Sequence, residues 1–192
     1  MLVTAPVLEP LTLEQAKLRA GLDWAAGDPR DVLMTGFIQT ARNQVERETG
    51  VALLEQTHAV PIRAGCRTFE LPFRPVTSVV VEAVDPTTGV VTAWSASPYV
   101  IDPSSVDPTP ARITLPSGGV WPSGLRATLV VGFETVEELQ ASAPGLVHAV
   151  GLLTAHYATL GRDLAVVDAG GLLAIPMGYE DAIAPYRLVT LA

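Results

Sequence analysis

The spacing of apolar side chains along this chain changes twice, and the two changes divide it into three parts. Up to residue 50 apolar positions recur at helical intervals. From 51 to 134 they come in short runs cut by Pro, Gly and Asp, and from 135 helical spacing returns. The middle texture is that of strands and turns. The clearest single element is residues 28–50, DPRDVLMTGFIQTARNQVERETG. Asp28 suits an N-cap, Pro29 the first helical position and Asp31 the first turn, while Gly50 supplies the usual C-terminal stop. At 100° per residue, Leu33, Met34, Phe37, Ile38, Ala41 and Val45 fall within one arc of about 140°, which is predicted to be buried. Gln39, Arg42, Asn43 and Glu46 cover the opposite face, with Arg42–Glu46 an i,i+4 pair worth about 0.3 kcal/mol. Burying each large apolar side chain is worth roughly 1.5–3 kcal/mol, and Phe37→Ala, as a core truncation, is expected to cost about 3–5 kcal/mol.

The same logic places the other elements. Thr12 with Gln15 forms a capping-box pattern for a helix over 12–20, with Leu11, Leu13, Ala16 and Leu18 turned inward. Strands are predicted near 53–62, 68–71, 76–84, 90–94, 99–101, 112–115 and 125–133, and Asp85-Pro86-Thr87-Thr88-Gly89 is a hairpin connection. After Pro144, the run GLVHAVGLLTAHYATLG sets Leu146, Val147, Val150, Leu153 and Tyr157 on one arc. Gly151, Ala155 and Ala158 form a second, small-residue arc suited to close approach by another helix. A low-charge linker over 163–175, a short helix over 179–183 and a tail beginning at Pro185 complete the chain. The fold class is α+β: a small helical bundle with an antiparallel all-β domain inserted between its second and third main helices, and an extended C-terminal tail. The divisions are 1–50 for the first helical part, 51–134 for the β insertion, 135–177 for the second helical part and linker, and 178–192 for the tail.

Composition narrows the function more than the fold. The net charge is −8, with 12 basic against 20 acidic residues and no basic run, which argues against nucleic-acid binding as the main task because phosphate contacts need clustered Lys and Arg. Hydrophobic residues make up 48% and charged ones only 17%. That balance fits either extra surface buried in an assembly or an alanine- and valine-rich composition. Cys66 is the only cysteine, so no internal disulfide forms and a reducing compartment is expected. The opening MLVTAPVLEPL lacks a basic n-region and is not read as a signal peptide. Residues 141–161 contain no Asp, Glu, Lys or Arg, but two histidines, two threonines, Ser142 and Pro144 favour a buried helix over a membrane span.

No arrangement of reactive side chains rises above the background. His148 and His156 are eight residues apart, about 12 Å along a helix axis, too far to share a metal. Cys66 and His58 lack a third group to orient them as nucleophile and base. Phosphate-loop, dinucleotide-binding and nucleophile-elbow patterns are missing from the sequence. No enzyme activity, catalytic residue, cofactor or metal is expected. Trp94, Tyr99 and Trp121 offer one alternative, a sugar-stacking platform of a carbohydrate- or receptor-binding β module in a tail or baseplate. Core aromatics of a small β domain are the commoner explanation.

Four stretches, in order and spacing, resemble the head–tail connector, or adaptor, proteins of long-tailed bacteriophages and gene transfer agents. The first is LEPLTLEQAKLRAGLD. The second is FIQTARNQVERETGVALLEQT, with Ala41, Arg42, Val45, Glu46, Thr49, Gly50, Ala52, Leu53, Gln56 and Thr57 in register with the family pattern. The third joins PFRPVTSVVVEAVD to YVID, PARITL and Trp121-Pro122, and the fourth is AVGLLTAHYA followed by IPMGYEDAIAPYR. The resemblance implies a structural virion protein, made in the host bacterial cytoplasm and located at the capsid–tail junction. It would form a ring of identical subunits, expected to be a dodecamer, beneath the portal protein. The ring would bind a stopper or other tail-completion protein and let DNA pass through its channel without specific binding or any membrane contact. It also implies that the C-terminal segment, Pro185, Tyr186, Arg187, Leu188 and Val189, grips the portal; an extended tail there could add a strand to a partner's sheet edge, the alternative from the residues alone being a disordered terminus. In such a ring Gln39, Arg42, Asn43 and Glu46 would face a neighbouring subunit.

Overall fold

The computed structural model describes residues 1–94, 98–102, 106–116, 119–160 and 177–188. The chain forms five α-helices and eight strands among these residues, an α+β architecture divided into two compact units. One unit comprises Met1–Val7, Gly50–Glu134 and Leu188–Ala192, and the other Leu8–Thr49 and Thr135–Arg187.

In the first unit a five-stranded antiparallel sheet runs in the order β1 (Leu2–Thr4), β2 (Gln56–Pro61), β8 (Leu125–Val131), β4 (Val76–Val84), β5 (Val91–Ala93). A three-stranded sheet has the order β3 (Thr68–Glu70), β7 (Arg112–Thr114), β6 (Val100–Asp102). Strand β8 sets the register. Leu125, Ala127, Leu129 and Val131 are buried in strict alternation, so a slip of one residue would turn all four outward. Between them Arg126 donates to Glu82 at 2.8 Å and Thr128 donates to the same carboxylate oxygen at 2.7 Å. These bonds, Thr128's first, hold the Glu82 carboxyl below its ordinary pKa and tie β8 to β4 on the outer face. The core between the sheets gathers Ile62, Leu71, Val79, Ile113, Leu129 and Trp121. Strand β1 was not anticipated. It is three residues long, and its pairing of Leu2 with His58 joins positions far apart in sequence, where no local pattern can reveal it.

The second unit consists of α1 (Leu13–Arg19), α2 (Arg30–Thr49), α3 (Val136–Ser142), α4 (Pro144–Leu160), α5 (Met177–Ile183) and a 3-10 turn, Ala184–Tyr186. Helix α4 is the centre, packing against α1, α2, α3 and α5. The capping box at the start of α1 is formed: the Gln15 amide donates to Thr12 Oγ1, and the Thr12 amide donates to Gln15 Oε1. Thr135 caps α3 in the same way, accepting from the Glu138 amide. The linker predicted over 163–175 lies outside the described residues.

Two helical faces differ from expectation. In α2 the buried residues are Met34, Ile38, Ala41, Arg42, Val45, Glu46 and Thr49. At 100° per residue they span an arc as wide as predicted but rotated by about 80° toward Arg42 and Glu46. Leu33 is 63% exposed, and Phe37 is only half-buried, 6.5 Å from the ring of Tyr157. Phe37→Ala therefore loses less than a full core truncation would. The rotation has a cause distant in sequence: Glu9 lies over Arg42, which donates to it from Nε at 2.9 Å and to Glu46 at 3.3 Å. A buried guanidinium with two carboxylates is tolerable where an unpaired one is not. In α1 the same exchange occurs. Leu18 is 81% exposed while Lys17 is buried and bridges to Asp31 at 2.9 Å. Asp31 also accepts from the Trp24 indole at 2.7 Å and the Gly27 amide. Lys17 and Trp24 are the leading causes that hold the Asp31 carboxyl below its usual pKa.

Candidate functional site

The C-terminal residues expected to bind a partner begin inside the helical unit. Pro185 and Tyr186 belong to the 3-10 turn, so the tail is not extended at Tyr186; extended backbone begins at Arg187, with φ −70° and ψ 136°. The turn sits against α4 because Gly145 leaves room: a Cβ there would lie 2.9 Å from the Ala182 carbonyl oxygen and 3.1 Å from the Tyr186 ring. Gly151, also predicted as a close-approach position, meets the Arg19 side chain rather than a helix backbone.

Arg187 fastens the end of the turn. Its guanidinium pairs with Glu180 at 2.7 Å and with Glu48 on α2 at 3.0 Å. Glu48 in turn accepts from Gln44 at 3.0 Å, and Gln44 accepts from the Tyr157 hydroxyl of α4. Tyr179 is fully buried beside this relay, and burial, followed by the Glu48 charge, pushes its phenol pKa well up. The chain thus leaves the helical unit from a point fixed on three helices. Leu188, the next residue, is 37% exposed and lies near Gly50. Val189 lies outside the described residues. Pairing of Arg187 with Glu48 could not be read from the sequence, because 139 residues separate them.

The four α2 residues expected to meet a neighbour are not on one surface. Gln39 and Asn43 are exposed, but Arg42 and Glu46 are buried, 6% and 8% accessible. They are occupied within the helical unit, so as residues of an open interface they are withdrawn. What α2 does present outward is Val32, Leu33, Thr35, Gln39, Thr40 and Asn43. Over residues 32–43 none of its exposed side chains is charged. Beside Leu33 is a hollow of about 280 Å³ whose lining includes Leu22, Trp24, Arg30, Met34 and Phe37. Arg30 stands over the Trp24 ring at 4.4 Å and is held there by Asp28 at 2.7 Å.

The aromatic cluster of the β unit is core. Trp121 is fully buried, Tyr99 packs 6.3 Å from it, and the Tyr99 hydroxyl donates to the Val79 carbonyl at 3.0 Å. A buried indole offers no face to a sugar, so the stacking platform loses its central member. Cys66 Sγ donates to the Arg63 carbonyl, and no three metal-ligating side chains converge among the described residues. No helix of the described residues is long and apolar enough to cross a membrane.

His58 is a buried histidine whose Nε2 has no hydrogen-bond partner among the described residues; its ring lies 3.9 Å from that of Phe73. Burial, with a smaller contribution from the N-terminal ammonium, lowers its pKa below the ordinary value. The unfolded chain therefore binds a proton near pH 6.5 that the folded chain refuses. Stability should be full above that pH and decline as pH falls through it. In urea titrations the midpoint should drop between about pH 7.5 and pH 5, and His58→Phe should remove much of that drop. An unchanged slope in the variant would place the responsible group elsewhere.

No protein-family model and no curated protein matches the sequence. Solved structures do share its fold. The chain is similar to one in the neck of an empty GTA particle computed with C6 symmetry, at 22% identity over 99% of this chain and 97% of that chain, with a TM-score of 0.71. The same figures hold for a chain in the virion of a native gene transfer agent (GTA) particle. For the neck of a native GTA particle computed with C12 symmetry the identity is 24% over 100% and 97% of the two chains, with a TM-score of 0.69. Both units of this chain therefore share the fold of those particle chains from end to end.

Proposed function

We propose that the chain is a structural head–tail adaptor of a phage-like particle or gene transfer agent. It forms a ring, dodecameric by the family resemblance, under the portal protein and joins the capsid vertex to a stopper or tail component. The observation that carries this reading is the end-to-end likeness to neck chains, which covers the helical and β units together rather than a common substructure. The acidic balance suits a wall that DNA passes without adhering, since it offers phosphate no cluster of cations. No chemistry is assigned to the chain in this role.

In this reading the segment from Leu188 onward grips the portal and the Arg187 turn holds its base. Deleting residues 188–192 leaves the Arg187 ion pairs in place, so the helical unit should keep its thermal midpoint. Particles made with the truncated chain should lack the protein at the portal, scored by co-sedimentation with portal-containing heads. Normal incorporation of the truncated chain would remove the tail from portal binding.

A further inference from the structure

We infer that the free edge of β6 is a strand-addition site for an extended segment of a different protein. That segment places an aliphatic side chain beside Ile101 and, immediately before it in sequence, a lysine or arginine beside Asp102. The site goes beyond the adaptor reading and does not depend on it.

The main-chain bonds of the three-stranded sheet show which way each residue points. Ile113 of β7 is paired with Phe69 of β3 on one side and with Ile101 of β6 on the other. The Leu115 amide donates to the Arg67 carbonyl at 3.2 Å, and the Leu71 amide donates to the Ala111 carbonyl at 2.8 Å. Bonded pairs alternate along an antiparallel ladder, so Ile113 turns its amide and carbonyl toward Phe69, while Arg112 and Thr114 turn theirs toward β6. Val100 and Asp102 meet those groups. The amide and carbonyl of Ile101 therefore point away from the sheet, and no hydrogen bond engages them among the described residues. A complete donor–acceptor pair stands at an open edge.

The side chains say what fits there. On the inner face Phe69, Ile113 and Ile101 form one cross-strand row. Ile113 is fully buried, but Ile101, the last of the row, is 37% exposed; an aliphatic side chain on a fourth strand would continue the row and cover it. On the outer face the corresponding row is Glu70, Arg112 and Asp102. Arg112 pairs with Glu70 at 2.8 Å. Asp102 is exposed, with no ion-pair partner among the described residues, and calls for a cation opposite it.

Only an antiparallel guest exchanges both main-chain bonds with the single residue Ile101, and every pairing within the two sheets is antiparallel. That sense fixes the order as cation, then aliphatic. This chain has the order at Lys17-Leu18, Arg112-Ile113 and Arg187-Leu188 alone. The first lies in α1, the second is β7 itself, and Arg187 already holds Glu180 and Glu48. The guest is accordingly a different protein rather than a second copy.

The probe is a synthetic peptide with blocked ends, Thr-Thr-Lys-Ile-Thr-Thr, titrated into the full isotope-labelled chain. The Ile101 amide resonance should shift and its hydrogen exchange should slow. Asp102→Lys should weaken binding at least about tenfold, since like charges then face each other. A peptide with Lys and Ile exchanged should also bind more weakly. Ile101→Pro should fold and lose binding, because its amide serves no internal bond, whereas Val100→Pro should lose the pairing of β6 with β7. Absence of an Ile101 shift, equal binding by Asp102→Lys or by the exchanged peptide, or tolerance of proline at 100 but not at 101 would each overturn the inference. A shift of the same resonance on concentrating the chain alone would put a second copy on the edge and overturn the choice of a different protein. All of these readings use the free chain, so their failure leaves the adaptor reading standing, and absence of the chain from particles leaves the edge site standing.

Discussion

Gly132→Ala should be among the most damaging single substitutions in the β unit, lowering stability by about 3 kcal/mol or more. Gly132 follows β8 with φ of +99°, in a region that residues with a side chain enter only with strain. Space is the larger obstacle. An alanine Cβ would lie 2.2 Å from the Leu54 carbonyl oxygen, 2.5 Å from its carbon and 3.0 Å from the Glu55 nitrogen. All three are backbone atoms, so no side-chain rotation relieves the overlap. The main chain is also committed there: the Gly132 amide donates to the Pro75 carbonyl at 3.0 Å, and the Glu55 amide donates to the Phe133 carbonyl at 2.9 Å. Moving either strand apart would break bonds on both sides. Gly21→Ala is the control. Its φ is +63° but nothing lies within 4 Å of the added Cβ, so it should cost only the left-handed conformation, about 1–2 kcal/mol. Equal urea midpoints for the two variants would mean that residues 54–55 do not crowd Gly132.

Arg42→Ala should cost about 3–5 kcal/mol in the helical unit, the range for removing one member of a buried ion pair. The side chains of Arg42, Glu46 and Glu9 are 8%, 10% and 20% accessible. Removing the guanidinium leaves two carboxylates close together with their shared cation gone, and water reaches them poorly. Had Arg42 been on an outward face, its i,i+4 pair would be worth under about 1 kcal/mol and would weaken with salt. The two arrangements are therefore separable by magnitude and by ionic strength. A double-mutant cycle between Arg42→Ala and Glu9→Gln should give a coupling above about 1 kcal/mol that persists at high salt. A coupling near zero would return Arg42 to the surface.

That pair also explains how far the sequence could be read. Local signals were sufficient for these elements: Thr12 with Gln15 marked the start of α1, and short apolar runs bounded by Pro, Gly and Asp placed β4 at Val76–Val84 and β8 close to Leu125–Val131. The arc width of α2 was legible from its period. Its direction was not, because an arginine and a glutamate read as solvent-facing until Glu9, 33 residues earlier in sequence, is known to sit on them. Lys17 and Leu18 were exchanged for the same reason, since Asp31 lies on another helix. The tail's helical start was equally hidden, since it depends on Gly145 and Glu48 meeting residues 180–187. Long-range pairing, rather than propensity, decided each of these.

The most direct test of the proposed role is a reconstruction of the capsid–tail junction in particles carrying this chain. The predicted result is a ring of this two-unit fold at the neck, in contact with the portal. Particles with intact necks from which the chain is absent, or density for it only on the capsid surface or distal tail, would contradict that role.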